Sequence, residues 1–447
     1  MKHPFQIVAV NNAGDLLCTA TKNHIQVFKI SSGERIGQWT DEADNTESIK
    51  EKILKEQERQ KILKQQELEE KAAKAAEEGT PESSEEPPKK KKKKSKNKNN
   101  DGEPKIPTPG PGAPTIYNYI RTLKFSRNGK YLIGTTDSDK SVVIFEIDLS
   151  NNENILKLIK RQPFPKRPSS ITTSYDDSEI LLGDKFGDVY STKVDTQEAR
   201  VVNSEAEPIL GHVSMLTDVL IGKKNDEQFI FTADRDEHIK ISKFPQSFIV
   251  KHWLFGHEQF VSKLLIPSWN EDLLISGGGD DYIFLWDWSK ESNQLLDKFN
   301  ISEIVEPYIN ESHLAPSRFQ NENNDLQETC ISDIITIPGL PNIIAVLVEA
   351  TNVVFLLKLE SNKISLDKII ELDSKIISIT SSNNQIIASV ESEDNLLRSI
   401  DINTKTVSNE LSESFKKITE NSFVEIPSKD ELYPLYPVFQ LRKRSEH

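Results

Sequence analysis

The sequence predicts an all-β chain folded as a seven-bladed propeller, interrupted early by one long charged insertion. Two observations carry this prediction. First, two stretches set 45 residues apart are variants of one pattern. Gly211-His212 is followed by an apolar stretch and then by Thr232-Ala-Asp-Arg-Asp-Glu-His-Ile-Lys-Ile-Ser242. Gly256-His257 is followed by an apolar stretch and then by Ser276-Gly-Gly-Gly-Asp-Asp-Tyr-Ile-Phe-Leu-Trp286-Asp287. Gly-His answered about 30 residues later by Trp-Asp is the signature of a WD-repeat blade. Second, β-rich runs that follow a polar turn recur along the chain and end near residues 28, 145, 190, 241, 286, 357 and 401. Most gaps lie between 44 and 51 residues, close to the expected blade length of about 40–45. Seven units fall inside the usual range of about 4–8 blades.

The units follow in order. Thr21-Lys-Asn-His-Ile-Gln-Val-Phe28 marks the first and Asp137-Ser-Asp-Lys-Ser-Val-Val-Ile-Phe145 the second. Asp184-Lys-Phe-Gly-Asp-Val-Tyr190 marks the third, and the two opening stretches are the fourth and fifth. Ile343-Ile-Ala-Val-Leu-Val with Thr351-Asn-Val-Val-Phe-Leu-Leu357 is the sixth, and Gln385-Ile-Ile-Ala-Ser-Val with Asn395-Leu-Leu-Arg-Ser-Ile-Asp401 the seventh. Each run is expected to close its blade as the last, outermost strand. The gap from 28 to 145 is too long for one blade. It divides the chain into a first blade (1–40), an insertion (41–113) and the remaining blades with a C-terminal tail (114–447). Within the insertion, 46–78 is rich in Glu, Lys, Gln, Leu and Ala and is expected to be partly helical. Its apolar residues are too sparse for a stable coiled coil. Residues 79–88 form an acidic, Pro-rich linker, 89–98 are almost pure Lys and expected to be disordered, and 104–114 re-enter as extended Pro-rich chain. Such a loop is tolerated because closure entropy grows slowly with length. The gap between 286 and 357 holds a second, shorter excursion around His313 to Asp325.

Composition narrows the function class. The formal charge of −14 (56 basic against 70 acidic side chains) argues against a surface that wraps nucleic acid on all sides. A hydrophobic content of 36%, with 19 Phe and 5 Trp, is enough for a large core. The only cysteines are Cys18 and Cys330, which excludes a disulfide framework and CxxC zinc spacing and fits a reducing compartment. The apolar run at the N-terminus stops at Asn11-Asn12, too short for a secretory signal, and nothing approaches 18 consecutive apolar residues. A soluble intracellular protein, with no membrane partner, is expected.

Four groups of polar residues could carry function. His257, Ser276 and Trp286, with Asp272 as a fourth member, fit the buried hydrogen-bonded chain that fixes blade geometry, and His212 with Thr232 repeats it. Reading His257, Asp272 and Ser276 as a catalytic triad fails because the spacing belongs to the blade template. The fourth unit departs from that template. Ser242 stands where the fifth has Trp286, and Arg235, Asp236, Glu237, His238 and Lys240 crowd into six positions. That run is either a solvated edge strand protected by charge or a charged docking site for a protein. Lys89, Lys90, Lys91, Lys92, Lys93 and Lys94 read as a nuclear import signal, a loose nucleic-acid tether, or merely a solvated tail. They have no interleaved aromatics for base stacking. Lys157, Lys160, Arg161, Lys166 and Arg167, placed between blades two and three, are either a solvated loop or phosphate contacts. No glycine-rich phosphate loop, HExxH or other metal-ligand set occurs, so no catalytic residue and no metal is expected.

Several stretches resemble one family closely. They include Pro107-Thr-Pro-Gly-Pro-Gly-Ala-Pro-Thr-Ile-Tyr-Asn-Tyr-Ile-Arg121, Glu207-Pro-Ile-Leu-Gly-His-Val-Ser-Met-Leu-Thr-Asp-Val219, Asp234-Arg-Asp-Glu-His-Ile-Lys-Ile-Ser242, Trp253-Leu-Phe-Gly-His257, the segment from His313 to Asp325, and Tyr433-Pro-Leu-Tyr436. Together they resemble the non-catalytic WD-repeat subunit of the fungal tRNA (guanine-N7-)-methyltransferase, from about residue 107 to the C-terminus. The resemblance implies a heterodimer. A separate catalytic subunit binds S-adenosylmethionine and methylates a guanine N7 in the tRNA variable loop, so no cofactor is expected in this chain. The propeller would stabilise that enzyme and help hold tRNA. The resemblance also implies that Lys240 pairs with an acidic residue of the catalytic subunit, with Arg235 and His238 nearby. The length and lysine content of the insertion depart from the family. Two rival readings stand beside this one: a nuclear WD-repeat scaffold with no RNA role, and a stand-alone enzyme.

Overall fold

Each of the seven predicted strand runs is the third strand of its own four-stranded antiparallel sheet. The computed structural model describes residues 1–43, 117–195, 199 and 208–444. Met1–Glu42 and the chain from Tyr117 onward form one compact unit. The rest of the insertion, with its lysine run, lies outside the described residues. In chain order the blades are β1–β4 (7–40), β5–β8 (120–163), β9–β12 (168–211), β13–β16 (216–254), β17–β20 (261–300), β21–β24 (331–371) and β25–β28 (376–408). Every sheet is ordered by sequence, with the first strand at one edge and the fourth at the other. The expectation that the third run of each unit is the outermost strand is therefore corrected. Beyond β15 (Ile239–Phe244) lies β16 (Val250–Leu254), whose Trp253 pairs with Lys240. The runs are legible because each third strand follows a sharp polar turn. The fourth strands are half exposed and carry little pattern: β20 (Leu295–Asn300) has no fully buried residue.

The core is not one mass. Among the described residues the buried apolar side chains fall into seven clusters, and each cluster lies between two neighbouring blades. The wedge between the fourth and fifth blades shows how this works. Phe229, Phe231, Ile239 and Ile241 from one blade meet Leu274, Phe284, Trp286 and Trp288 from the next. A blade buried on both faces needs strands without alternation, and β22 (Ile343–Val348) is buried along its whole length. Polar staples join the blades near the axis. Each first strand of blades two, four, five, six and seven carries a bulge at its second residue. In two of these, Thr217 Oγ1 and Ser262 Oγ thereby reach forward to the backbone oxygens of Val261 and Ile331 in the next blade. Close approach also explains the Gly-Gly-Gly run: a Cβ on Gly278 would lie 1.8 Å from the Phe260 carbonyl oxygen.

Closure uses no exchanged strand. β1 to β4 come wholly from the N-terminus, β25 to β28 wholly from the far end. Phe5, Val8, Leu17 and Phe28 pack against Ile387 and Leu397, and Val8 N and Val10 N donate to the hydroxyls of Ser378 and Thr380. A short helix, α1 (Ser302–Val305), lies in the excursion before the sixth blade. A longer one, α2 (Ser412–Asn421), follows the seventh and adds Phe415 and Ile418 to the closing cluster. Beyond it, His3 N donates to Val424 O at 3.0 Å and the Met1 ammonium to Ile426 O at 2.9 Å. The two chain ends thus hold one another beside the seam.

Candidate protein-docking site

The fifth blade shows the structural chain complete. Trp286 Nε1 donates to Ser276 Oγ at 2.9 Å, Ser276 Oγ donates to His257 Nε2 at 2.7 Å, and His257 Nδ1 donates to Asp280 Oδ2 at 2.9 Å. All four side chains are buried. The Ser276 hydroxyl is thus held between His257 and Trp286 inside the blade and is not presented as a nucleophile. The fourth member is Asp280. Asp272, expected there, is half exposed and accepts from Lys224 Nζ at 2.9 Å. Asp272 precedes the strand of Ser276, whereas the aspartate that reaches the histidine must follow it, in the turn where the Gly-His backbone returns.

The fourth blade keeps three members and loses the last. His212 Nδ1 donates to Asp234 Oδ2 and Thr232 Oγ1 donates to His212 Nε2, both at 2.8 Å. Burial holds the His212 imidazole below its ordinary pKa despite the Asp234 carboxylate. Ser242 replaces the tryptophan, and its hydroxyl has no partner among the described residues. The two blades also exchange the residues around this chain. In the fifth, Phe284 of β19 (Tyr282–Asp287) lies beneath Lys298 of β20. In the fourth, Lys240 of β15 lies beneath Trp253 of β16, its ammonium 5.1 Å from the ring centroid. Lys240 is therefore a buried residue, 5% exposed, and not a rim charge. Its Nζ donates to Gly211 O at 2.6 Å. An ammonium has three donors, and this is its one acceptor among the described residues. Desolvation lowers its pKa, against the attraction of Asp234.

Around that ammonium the surface is apolar. Val213 is fully exposed, Phe255 is 66% and Trp253 42% exposed, and the His238 ring meets both aromatic rings at 5.9 Å. Exposed aromatics around one under-satisfied buried charge are the makings of a protein interface. The neighbours expected to share the site divide. His238 lies on it, and Glu237 is exposed at the turn before it with φ +76°. Arg235 and Asp236 turn away. Arg235 Nε donates to Leu441 O at 2.6 Å, and Asp236 pairs with Lys443 and Ser214.

The basic group of the second and third blades is not one patch. Lys157, Lys160 and Arg161 lie on β8 (Leu156–Pro163), a strand and not a loop. Lys157 is exposed near Glu146. Lys160 is 4% exposed, with its Nζ donating to Thr192 Oγ1 at 3.0 Å and Lys193 O at 2.7 Å. Arg161 forks onto Asp139 with two bonds of 2.7 Å and meets Asp41 at 3.0 Å. Lys166 sits 4.0 Å over the exposed Phe186 ring, and Arg167 is half-buried beside Asp137. Lys89, Lys90, Lys91, Lys92, Lys93 and Lys94 lie outside the described residues. Among the described residues no group of His, Cys, Asp and Glu could hold a metal, and no helix is long and apolar enough to cross a membrane. Cys18 and Cys330 are both free and buried.

A family model described as the tRNA methyltransferase TRM82 WD40 domain matches residues 17–207 and 192–415. Three relatives are each named as the tRNA (guanine-N(7)-)-methyltransferase non-catalytic subunit TRM82. They come from Kluyveromyces lactis (44% identical), Debaryomyces hansenii (46%) and Saccharomyces cerevisiae (39%). Each alignment covers all of this chain and at least 99% of the relative. This chain belongs to the TRM82 family. Solved structures described as U3-55K (TM-score 0.52, 15% identity, 88% of this chain and 90% of that one) and as the RRP9 WD40 repeats (0.51, 16%, 88% and 89%) share the propeller fold. Of this site in the TRM82-family chain, Lys240 and His238 are legible from the sequence, whereas Trp253, Phe255 and Val213 emerge in the fold. Trp253-Leu-Phe-Gly-His257 did carry the signal, since two aromatics alternating outward beside a Gly-His are unusual on a solvated edge.

Proposed function

We propose that this chain is the non-catalytic subunit of a tRNA (guanine-N7-)-methyltransferase and holds the catalytic subunit at the outer edge of its fourth blade. The observation that carries the assignment is full-length similarity to relatives named for that role. The place of docking rests on Lys240. An incoming carboxylate would satisfy donors that the propeller leaves unused, inside a ring of apolar side chains that excludes water. Such a pair gives register and specificity. By binding only the active arrangement of its partner, the propeller would shift the partner's population towards it. S-adenosylmethionine would sit on the catalytic subunit. For tRNA, Lys157, Lys166 and Arg167 are the members of the basic group left to meet phosphate, because Lys160 and Arg161 are engaged within the propeller. The lysine run would serve nuclear import.

The test is a substitution that removes charge and keeps volume. Lys240→Met preserves the stem under Trp253. It should weaken association with the co-expressed catalytic subunit by on the order of tenfold or more, with tRNA methylation falling in parallel and the melting temperature little changed. Lys240→Glu is a poorer probe, because it buries a carboxylate against Gly211 O and Asp234 and should destabilise the blade as well. Normal co-purification and activity of the Met variant would remove Lys240 from the interface.

A further inference from the structure

The last described residues, 429–444, join no blade. They cross the end of the ring that carries the loops between second and third strands, touching one such loop after another. At the start, Tyr433 N donates to His3 Nε2 at 3.0 Å, and its ring packs on Tyr117 at 4.7 Å and under Lys22 at 4.9 Å. The Tyr436 hydroxyl donates to Glu391 of the seventh blade at 2.8 Å. Val438 N and Phe439 N donate to the Glu349 carboxylate of the sixth at 2.8 and 2.6 Å, and Glu349 is only 3% exposed. Arg442 donates to Gly279 O of the fifth and, at 2.7 Å, to Thr329 O, and Arg444 forks onto Glu328. In the fourth blade contacts run both ways: Arg235 donates to Leu441 O of the strap, and Asp236 accepts from Lys443. Through Leu441 and Lys443 the strap thus reaches the turn from which the strand of Lys240 departs.

We propose that the strap is part of the docking edge: it holds the 235–238 turn in place and supplies Lys443 to neutralise the Asp236 carboxylate beside the surface that meets an acidic segment of the catalytic subunit. This rests on the docking reading above. The charge logic is specific. Arg235 and Asp236 both face the strap, so neither is offered to a partner. Without the strap, Asp236 would stand as an unpaired carboxylate beside the surface that meets an acidic partner. Lys443, 54% exposed, cancels that charge and still faces water.

Affinity for the purified catalytic subunit, read in low and high salt, tests the proposal in the full-length chain. Lys443→Ala should weaken binding about threefold to tenfold at low salt, and far less near 1 M salt, where screening shortens to about 3 Å. Adding Asp236→Asn to Lys443→Ala should restore most of the loss, because it removes the exposed carboxylate. A strap that only braces the ring predicts no such rescue. Truncation after Tyr436 should cost at least about tenfold, with folding followed by circular dichroism. If Lys443→Ala binds normally while Lys240→Met does not, the strap has no part in docking and the docking reading survives. If both bind normally, the docking reading itself falls. Should the truncated chain not fold, the Lys443 and Asp236 variants decide alone.

Discussion

At the residue scale the strap's main anchor is an acid buried where acids are costly. Burial pushes the Glu349 carboxyl up to about 7, against the two backbone N–H groups that favour its charged form. Cys330 Sγ also donates to it at 3.4 Å. The unfolded carboxyl titrates near 4.5, so between there and about 7 the folded chain binds one more proton than the unfolded one. Stability from this group is therefore greatest below 4.5 and falls as pH rises to 7, by on the order of 2–3 kcal/mol. His3, at the strap's other end, has the opposite sign. Burial lowers it to about 4, so its contribution is lost as pH falls below 6.5. The two slopes offset one another across the shared range. Glu349→Gln should expose the His3 slope: urea denaturation from pH 4.5 to 7 should show the variant gaining on the parent throughout. Parallel profiles would mean that Glu349 is ionised at every pH tested. Neither residue was legible in the sequence. Glu349-Ala-Thr looked like any polar turn, and only packing from a segment 89 residues away makes it a buried acid.

At the element scale, comparing two blades separates scaffold from site. In the fifth, Ser276 Oγ serves two partners, His257 Nε2 and Trp286 Nε1. In the fourth, Thr232 Oγ1 serves His212 alone among side chains, because Ser242 offers nothing in place of Trp286. Ser276→Ala therefore strands a buried acceptor and a buried donor, at about 2–4 kcal/mol. Thr232→Ala strands one group, at about 1–2 kcal/mol. Chemical denaturation should order the two variants that way, and equal losses would show that the chain of bonds is not what holds the fifth blade. The histidine and hydroxyl were readable because they recur at a period, and the tryptophan because it stands in the Trp-Asp signature of the fifth blade. The aspartate was not, since it lies two residues after Thr232 but four after Ser276. The swap of Lys240 and Trp253 for Phe284 and Lys298 was hidden for a different reason. Cross-strand partners are set by register, which a single strand run does not reveal.

At the scale of the whole molecule, the period of the third strands was enough to count the blades, because each follows a polar turn and is buried on both faces. The fourth strands and the ring closure were not readable. Closure depends on wedges and termini that have no periodic signature. The insertion tests how independent the ring is. Asp41 N donates to Asn23 O and Ile120 N to Lys22 O, both at 2.8 Å, so the chain leaves and returns at one turn of the first blade. Asp41 also pairs with Arg161 and Ser138, tying the exit point to the second blade. Nothing in those contacts needs a long connection. Between Asp41 and Ile120 the connection is 119 − 41 = 78 residues, and deleting 44–103 removes 60 of them. The remaining 18 close a shorter loop, which by loop entropy should stabilise the ring by about 1 kcal/mol. The deletion should therefore raise the melting temperature slightly, leave binding to the catalytic subunit and tRNA methylation unchanged, and reduce nuclear accumulation of a fluorescent fusion because the lysine run is gone. A lower melting temperature would show that the insertion braces the first two blades. Unchanged nuclear accumulation would show that the lysine run is not what directs the protein there.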